Sequence, residues 1–94
     1  MRVLAVEKEI RPGKFNKALY EREARGVYAL YKDGKIREIF FTKEDHAAVI
    51  LLEVSGIAQA KKLLGGLPLV KSGCIVFELK ELLPYTGYDR ILKR

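Results

Sequence analysis

The repeat of apolar and polar positions changes period along the chain, and each change marks an element. From Arg2 to Ile10 the period is two, with Leu4, Val6 and Ile10 on one side and Val3, Ala5, Glu7 and Glu9 on the other, the signature of a strand. Arg11-Pro12-Gly13 ends it. Between Lys14 and Lys32 helix formers run without an interior proline until Asp33-Gly34 supplies a stop. At about 3.6 residues per turn, Phe15, Ala18, Leu19, Ala29 and Leu30 share one face with Gly26, while Tyr20, Ala24, Val27 and Tyr31 lie opposite. This long helix is therefore expected to be apolar on two faces, one covering a sheet and the other needing a neighbour or lining a cavity.

Lys35 to Thr42 is rich in β-branched and aromatic residues, Lys43-Glu44-Asp45 is charged, and His46 to Val54 is almost wholly apolar. This predicts a hairpin whose second strand is buried on both sides and central in its sheet. Ser55 is placed to cap a short helix through Ile57, Ala60, Lys61 and Leu64, closed by Gly65-Gly66. Leu67-Pro68-Leu69 opens a linking loop. Cys74 to Leu82 then alternates Ile75, Phe77 and Leu79 with Val76, Glu78 and Lys80 as a fourth strand, Pro84 ends it, and Tyr85-Thr86-Gly87-Tyr88 begins a short C-terminal tail. The order βαββαβ is the split pattern of the ferredoxin-like α+β fold, a four-stranded antiparallel sheet with both helices on one face. The other face is left uncovered, which predicts sheet-to-sheet pairing into a homo-dimer or higher homo-oligomer.

Composition narrows the function classes. Ninety-four residues suit a single domain over 1–94. The longest apolar run, Ala47 to Leu52, falls far short of the roughly 20 residues of a membrane helix. Met1-Arg2-Val3-Leu4 runs straight into the first strand without a secretory pattern, so the expected location is cytoplasmic. One cysteine, Cys74, and one histidine, His46, exclude an internal disulfide and a Cys/His zinc site, and the sequence calls for no metal or cofactor. The net charge of +6 comes from basic residues interleaved with glutamates, clustered only at Arg90, Lys93 and Arg94. An RNA-recognition module of this topology carries stacking aromatics on its central strands, and the first and third strands here have none. The expectation is no specific nucleic-acid partner, and only weak, salt-dependent binding through scattered charge.

Asp33-Gly34-Lys35-Ile36-Arg37, the hairpin behind it, the Val54-Ser55 helix start and Leu64-Gly65-Gly66-Leu67-Pro68-Leu69 follow one another at a spacing that resembles the muconolactone isomerase family. The match runs without gaps from Asp33 to about Val70, and Glu23 and Pro84 also fall in register. The resemblance implies a subunit of the dimeric α+β barrel type, a homo-oligomer built from sheet-packed dimers, and an active pocket between the sheet and neighbouring chains. The implied chemistry is migration of a proton within a small unsaturated lactone. The pattern departs at Ile36 and Phe40, where the family has tryptophans, at Phe41, where it has arginine, and at Ala48 and Ile50, where it is polar. The implied pocket is correspondingly more apolar, and the resemblance does not carry the family's own substrate over to this chain.

Moving a proton between two carbons needs one base that removes and returns it, and donors where enolate charge develops. If Thr42 and His46 pair across a three-residue turn, Glu38, Phe40, Thr42, His46, Ala48 and Ile50 point to one face. Glu38 and His46 then share a pocket wall as base and donor, although Glu38 next to Arg37 also suits a surface ion pair. Phe40 with Tyr20, Tyr31 and Tyr85 supplies flat walls with polar tips for a small organic ligand. Glu7, Glu53 and Glu78 sit on mixed strand faces, and Cys74 has no partner that would make it a nucleophile. Two readings stand: a proton-transfer isomerase acting on a small lactone or organic acid, and a non-catalytic ligand-binding or assembly subunit of the same fold.

Overall fold

A single run of alternation explains where the core lies. In the computed structural model, which describes residues 1–10 and 16–92, Val3 and Ala5 of β1 (Arg2–Glu9) stand opposite Leu52 and Ile50 of β3 (Ala48–Glu53), and all four are buried. Paired residues in an antiparallel sheet point to the same side, so this register defines one buried face. Ile36 of β2 (Ile36–Phe41) and Ile75 of β4 (Ile75–Leu82) join it from the two edges. The strand order is β2-β3-β1-β4, antiparallel throughout, and β3 is central as its apolar run predicts. The Arg11-Pro12-Gly13 stop, Phe15, and the Lys93 and Arg94 charges lie outside the described residues.

Three helices cover the buried face. The helix α1 (Lys17–Lys32) starts where Asn16 accepts the Leu19 N–H through its side chain at 2.8 Å. It stops in a paired cap: the Gly34 N–H reaches Tyr31 O at 3.1 Å and the Lys35 N–H reaches Leu30 O at 3.0 Å, with Gly34 at φ 81°. The helix α2 (Ile57–Gly65) buries Ala60 and Leu64 against the sheet. Ser55 does not cap it; Gly56 holds that position, and the Ser55 N–H instead donates to Gln59 Oε1 at 2.7 Å. The expected linking loop at Leu67-Pro68-Leu69 is a further turn of helix, α3 (Pro68–Lys71), which proline favours by fitting the first helical position.

The two-faced reading of α1 is replaced by one half-buried stripe of Leu19, Glu23, Gly26, Val27 and Leu30, with Ala18 and Ala29 exposed. Val27 and Leu30 pack against the core, yet no residue of α1 is fully buried. Gly26 sets the closest approach, because a Cβ there would stand 3.0 Å from Leu67 Cδ2. The helix thus rests on α3, and its flank from Tyr20 to Tyr31 borders an open space over the sheet.

The hairpin differs from expectation by one residue. The Thr42 N–H donates to Ala47 O at 2.8 Å, the His46 N–H to Thr42 O at 2.9 Å and the Ala47 N–H to Thr42 Oγ1 at 2.9 Å. Thr42 therefore pairs with Ala47, not His46, and His46 sits in the turn at φ 54°. A bulge between Ile36 and Glu38 makes a second change of parity. Ile39 and Phe41 consequently face Ile50 and Ala48 on the helix side, while Glu38 and Phe40 face Leu51 and Val49 on the open side.

Beyond β4 the chain leaves the sheet. The radius of gyration is 15.6 Å and the longest extent 58 Å, where a compact domain of this length has a radius of about 12 Å. Leu83, Tyr85 and Ile91 of this segment are exposed, and the Tyr85 ring lies over Gly87 and edge-on to Tyr88 at 4.9 Å. Because nothing crowds Gly34, replacing it with alanine isolates the cost of the left-handed cap. Gly34→Ala is expected to lower stability by about 1–2 kcal/mol in urea titration. An unchanged midpoint would show that the cap does not hold the α1 to β2 turn.

Candidate functional site

Holding α1 off the sheet leaves a cavity of about 880 Å³ between them. Its roof is the flank of α1 that carries Tyr20, Glu23, Ala24, Val27, Tyr28 and Tyr31. Its floor is the helix-facing side of the sheet, with Ala48, Ile50, Ile75 and Phe77, and its β2 wall is Ile39 and Phe41. Ala24 above and Ala48 below are too small to meet across the gap, so the space is not filled by the chain's own apolar side chains.

Two carboxylates stand in this apolar setting. Glu7 continues the parity of Val3 and Ala5, so β1 aims it at the helix side. Pairing of β1 with β3 stops at Val6 opposite Val49, and the next β3 amide, Ala48 N–H, donates to Glu7 Oε1 at 2.8 Å. The carboxylate replaces a backbone acceptor that the sheet no longer supplies. Glu23 interrupts the half-buried stripe of α1, where its Oε1 accepts the Leu69 N–H at 2.9 Å. That amide lies in the first turn of α3 and has no partner within the helix, which explains what Leu67-Pro68-Leu69 contributes: a packing contact to Gly26 and a donor to Glu23.

The environment of Glu23 favours its neutral form. Burial pushes its carboxyl above the ordinary value, the Leu69 hydrogen bond offsets part of the rise, and the negative charge of Glu7 adds to it. At the mouth, His46 stacks on Phe41 with ring centroids 4.0 Å apart and planes at 16°. Tyr28 lies under Lys32 Nζ, 5.8 Å from the ring centroid. The arrangement provides a desolvated carboxyl, tyrosine hydroxyls and an imidazole around a space with apolar walls. Among the described residues no group of three or more His, Cys, Asp or Glu is arranged to hold a metal ion.

The residues singled out from the sequence divide. His46, Tyr20, Tyr31 and Phe40 all border this cavity, Phe40 from the edge strand. Glu38 is not among its lining residues: the longer turn and the bulge place it on the open face of β2, so it shares no wall with His46. Tyr85 is in the exposed C-terminal segment against Gly87 and Tyr88, away from the cavity. Glu53 pairs with Arg2 Nε at 3.0 Å and with the N-terminal amine, which with Arg2 holds its carboxyl below the usual range. Glu78 pairs with Lys8 at 3.4 Å. Glu7 and Glu23 are the pair that sequence reasoning did not bring together, though a glutamate continuing the buried parity of β1 and another inside the α1 stripe were both signals.

No protein-family model matches the sequence, and no curated protein matches it. Solved structures do. Muconolactone isomerase, determined at 3.3 Å resolution, superposes with a TM-score of 0.76 and 18% identity over 93% of both chains. The 5-chloro-2-hydroxyhydroquinone dehydrochlorinase of Burkholderia phenoliruptrix, in complex with 2,5-dihydroxybenzoquinone, superposes with a TM-score of 0.64 and 15% identity over 93% of this chain and 98% of that one. The chain shares the fold of muconolactone isomerase, ferredoxin-like α+β with a four-stranded antiparallel sheet. No helix among the described residues is long and apolar enough to cross a membrane.

Glu23 makes stability depend on pH in a direction opposite to a salt-bridged carboxylate. Its proton is bound more tightly in the folded chain than in the unfolded one, where the value is near 4.5. The stabilisation that the bound proton gives is complete below the unfolded value and is lost as pH rises through the higher folded value. Glu23→Gln keeps an acceptor for the Leu69 N–H and does not titrate. Melting curves between about pH 4 and pH 8 should therefore show the variant gaining on the wild type as pH rises, then levelling off. A difference independent of pH would remove the desolvated carboxyl.

Proposed function

We propose that the cavity under α1 binds a small ring-bearing organic molecule and that Glu23 moves a proton on it. The observation that carries this reading is the position of Glu23, a half-buried carboxyl raised toward working pH and fixed by Leu69 N–H in a space with apolar walls. In this reading Glu23 as carboxylate takes a proton from a carbon beside a carbonyl, holds it as the carboxylic acid, and returns it to another carbon of the same molecule. The chain ends the cycle with no net gain or loss of a proton. Hydroxyls of Tyr20 and Tyr31 and the His46 imidazole are the groups that stabilise the charge developing on the carbonyl oxygen. By their names, the two similar structures handle a lactone and a chlorinated hydroquinone, both small oxygenated rings, which supports the substrate class.

The base in this proposal is Glu23 and not Glu38, since Glu38 lies outside the lining. Incubation with small unsaturated lactones and cyclic enones in deuterium oxide tests it by exchange at the carbon beside the carbonyl. Glu23→Gln should lower the rate constant kcat about 10²-fold or more with the fold intact. Ligand binding without any exchange would favour the non-catalytic binding subunit.

The open face of the sheet carries the second part of the proposal. Leu4, Val6, Val49 and Leu51 form its apolar centre, flanked by the Arg2–Glu53 and Lys8–Glu78 pairs. A second copy placed on this face would cover it and form the homo-dimer. Light scattering at micromolar concentration should give at least twice 10.7 kDa, and Leu51→Glu should shift the chain to monomer. A monomeric wild type would overturn the pairing.

A further inference from the structure

Among the described residues, the lysine, arginine, aspartate and glutamate side chains that line the cavity are all acidic, and His46 stands with them as a titratable base. Glu7 and Glu23 lie within it and Glu9 and Asp45 border it, while none of the described lysines or arginines does. The contrast with the whole chain is sharp: 18 Lys and Arg against 12 Asp and Glu give a net charge of +6. A third of the acidic residues border this one space, and the described lysines and arginines are not among its lining residues. The walls add a second element of the same electrostatic character. Tyr20, Tyr28, Tyr31 and Phe41 present aromatic rings, whose faces attract positive charge. Tyr28 already carries Lys32 Nζ over its ring.

Charge complementarity decides what fits. A carboxylate ligand would bring a further negative charge beside Glu7 and Glu23 in a space of reduced dielectric, and no described lysine or arginine lines the space to offset it. An ammonium group would relieve the repulsion between the two glutamates and hold Glu23 ionised. We propose that the cavity selects small aromatic or alicyclic amines, with the ammonium at Glu7 and Glu23 and the ring among Tyr20, Tyr31 and Phe41, and that it rejects carboxylates. This rests on the cavity being the ligand site, and it narrows the substrate class away from organic acids.

Three probes of similar shape test the selection on the full chain at physiological salt: phenethylamine, 2-phenylethanol and phenylacetate, titrated by calorimetry and by amide chemical shifts. Phenethylamine should bind at least tenfold more tightly than phenylacetate, with the alcohol between them and the shifts centred on α1 and the 42–47 turn. The basic exterior biases non-specific binding toward phenylacetate, so a preference for the amine reports the cavity. Glu7→Gln, which keeps an acceptor for the Ala48 N–H, should reduce the preference to about threefold or less, while amide shifts outside the cavity that match the wild type certify an intact fold. Tighter or equal binding of phenylacetate, an amine preference that survives Glu7→Gln, or no binding by any of the three overturns the proposal. Amine selectivity without proton exchange on any substrate would leave the selection standing and remove the Glu23 base. Exchange on neutral or anionic rings without amine preference would do the reverse.

Discussion

The height of α1 above the sheet governs everything on that side of the molecule. Two contacts set it. Gly26 lets the helix backbone come against Leu67, and the Glu23 carboxylate takes the Leu69 N–H, so both bind α1 to the short α3 and neither binds it to the strands. A helix packed on a sheet normally buries its apolar stripe directly, as α2 does with Ala60 and Leu64. In α1 the stripe is broken by a glutamate and a glycine, and seating it on α3 leaves space below. A side chain at position 26 larger than hydrogen would press on Leu67, whose own place in the core is filled.

The same two contacts govern the electrostatics. Glu7 is tied to the sheet through Ala48 N–H, and Glu23 to the helical layer through Leu69 N–H, so the separation of the carboxylates follows the separation of the layers. Each accepts a backbone donor that secondary structure leaves unpaired: the β3 amide beyond the last rung, and an amide in the first turn of a helix. Those donors are what make half-buried carboxylates tolerable where no described lysine or arginine pairs with them. They do not neutralise the pair. Desolvation, with a smaller addition from the residual repulsion of Glu7, gives Glu23 its raised proton affinity.

The six elements of the βαββαβ order were legible in the sequence because they depend on local period, whereas the single turn α3 read as a loop, and the ferredoxin-like topology follows from element order. Register was not legible to the same degree, because it turns on single residues. Thr42 pairs with Ala47 through an additional turn residue, His46 adopts a positive φ that non-glycine residues rarely take, and Arg37 sits in a bulge. Each such change reverses which side chains face the helices, so an argument from alternation placed Glu38 and Phe40 with Ala48 and Ile50, where Ile39 and Phe41 stand. Glu7 escaped for a related reason. Its parity with Val3 and Ala5 was visible, yet Leu4 and Val6 gave an equally apolar alternate face, and only the helices decide which is covered.

The corrected register separates two roles that alternation had merged. Had Glu38 and His46 shared a wall with Ile50, ligand and second copy would have competed for one surface. Instead the lining carboxylates lie under α1, and Leu4, Val6, Val49 and Leu51 lie on the opposite side of a sheet one residue thick. Changes on one face can then leave the other intact, since successive strand positions alternate between them. The link that remains is mechanical. β1 presents Val6 to the open face and Glu7 to the cavity at adjacent positions, and β3 does the same with Val49 and Ala48, so the backbone under the open face is the one that carries the Glu7–Ala48 hydrogen bond.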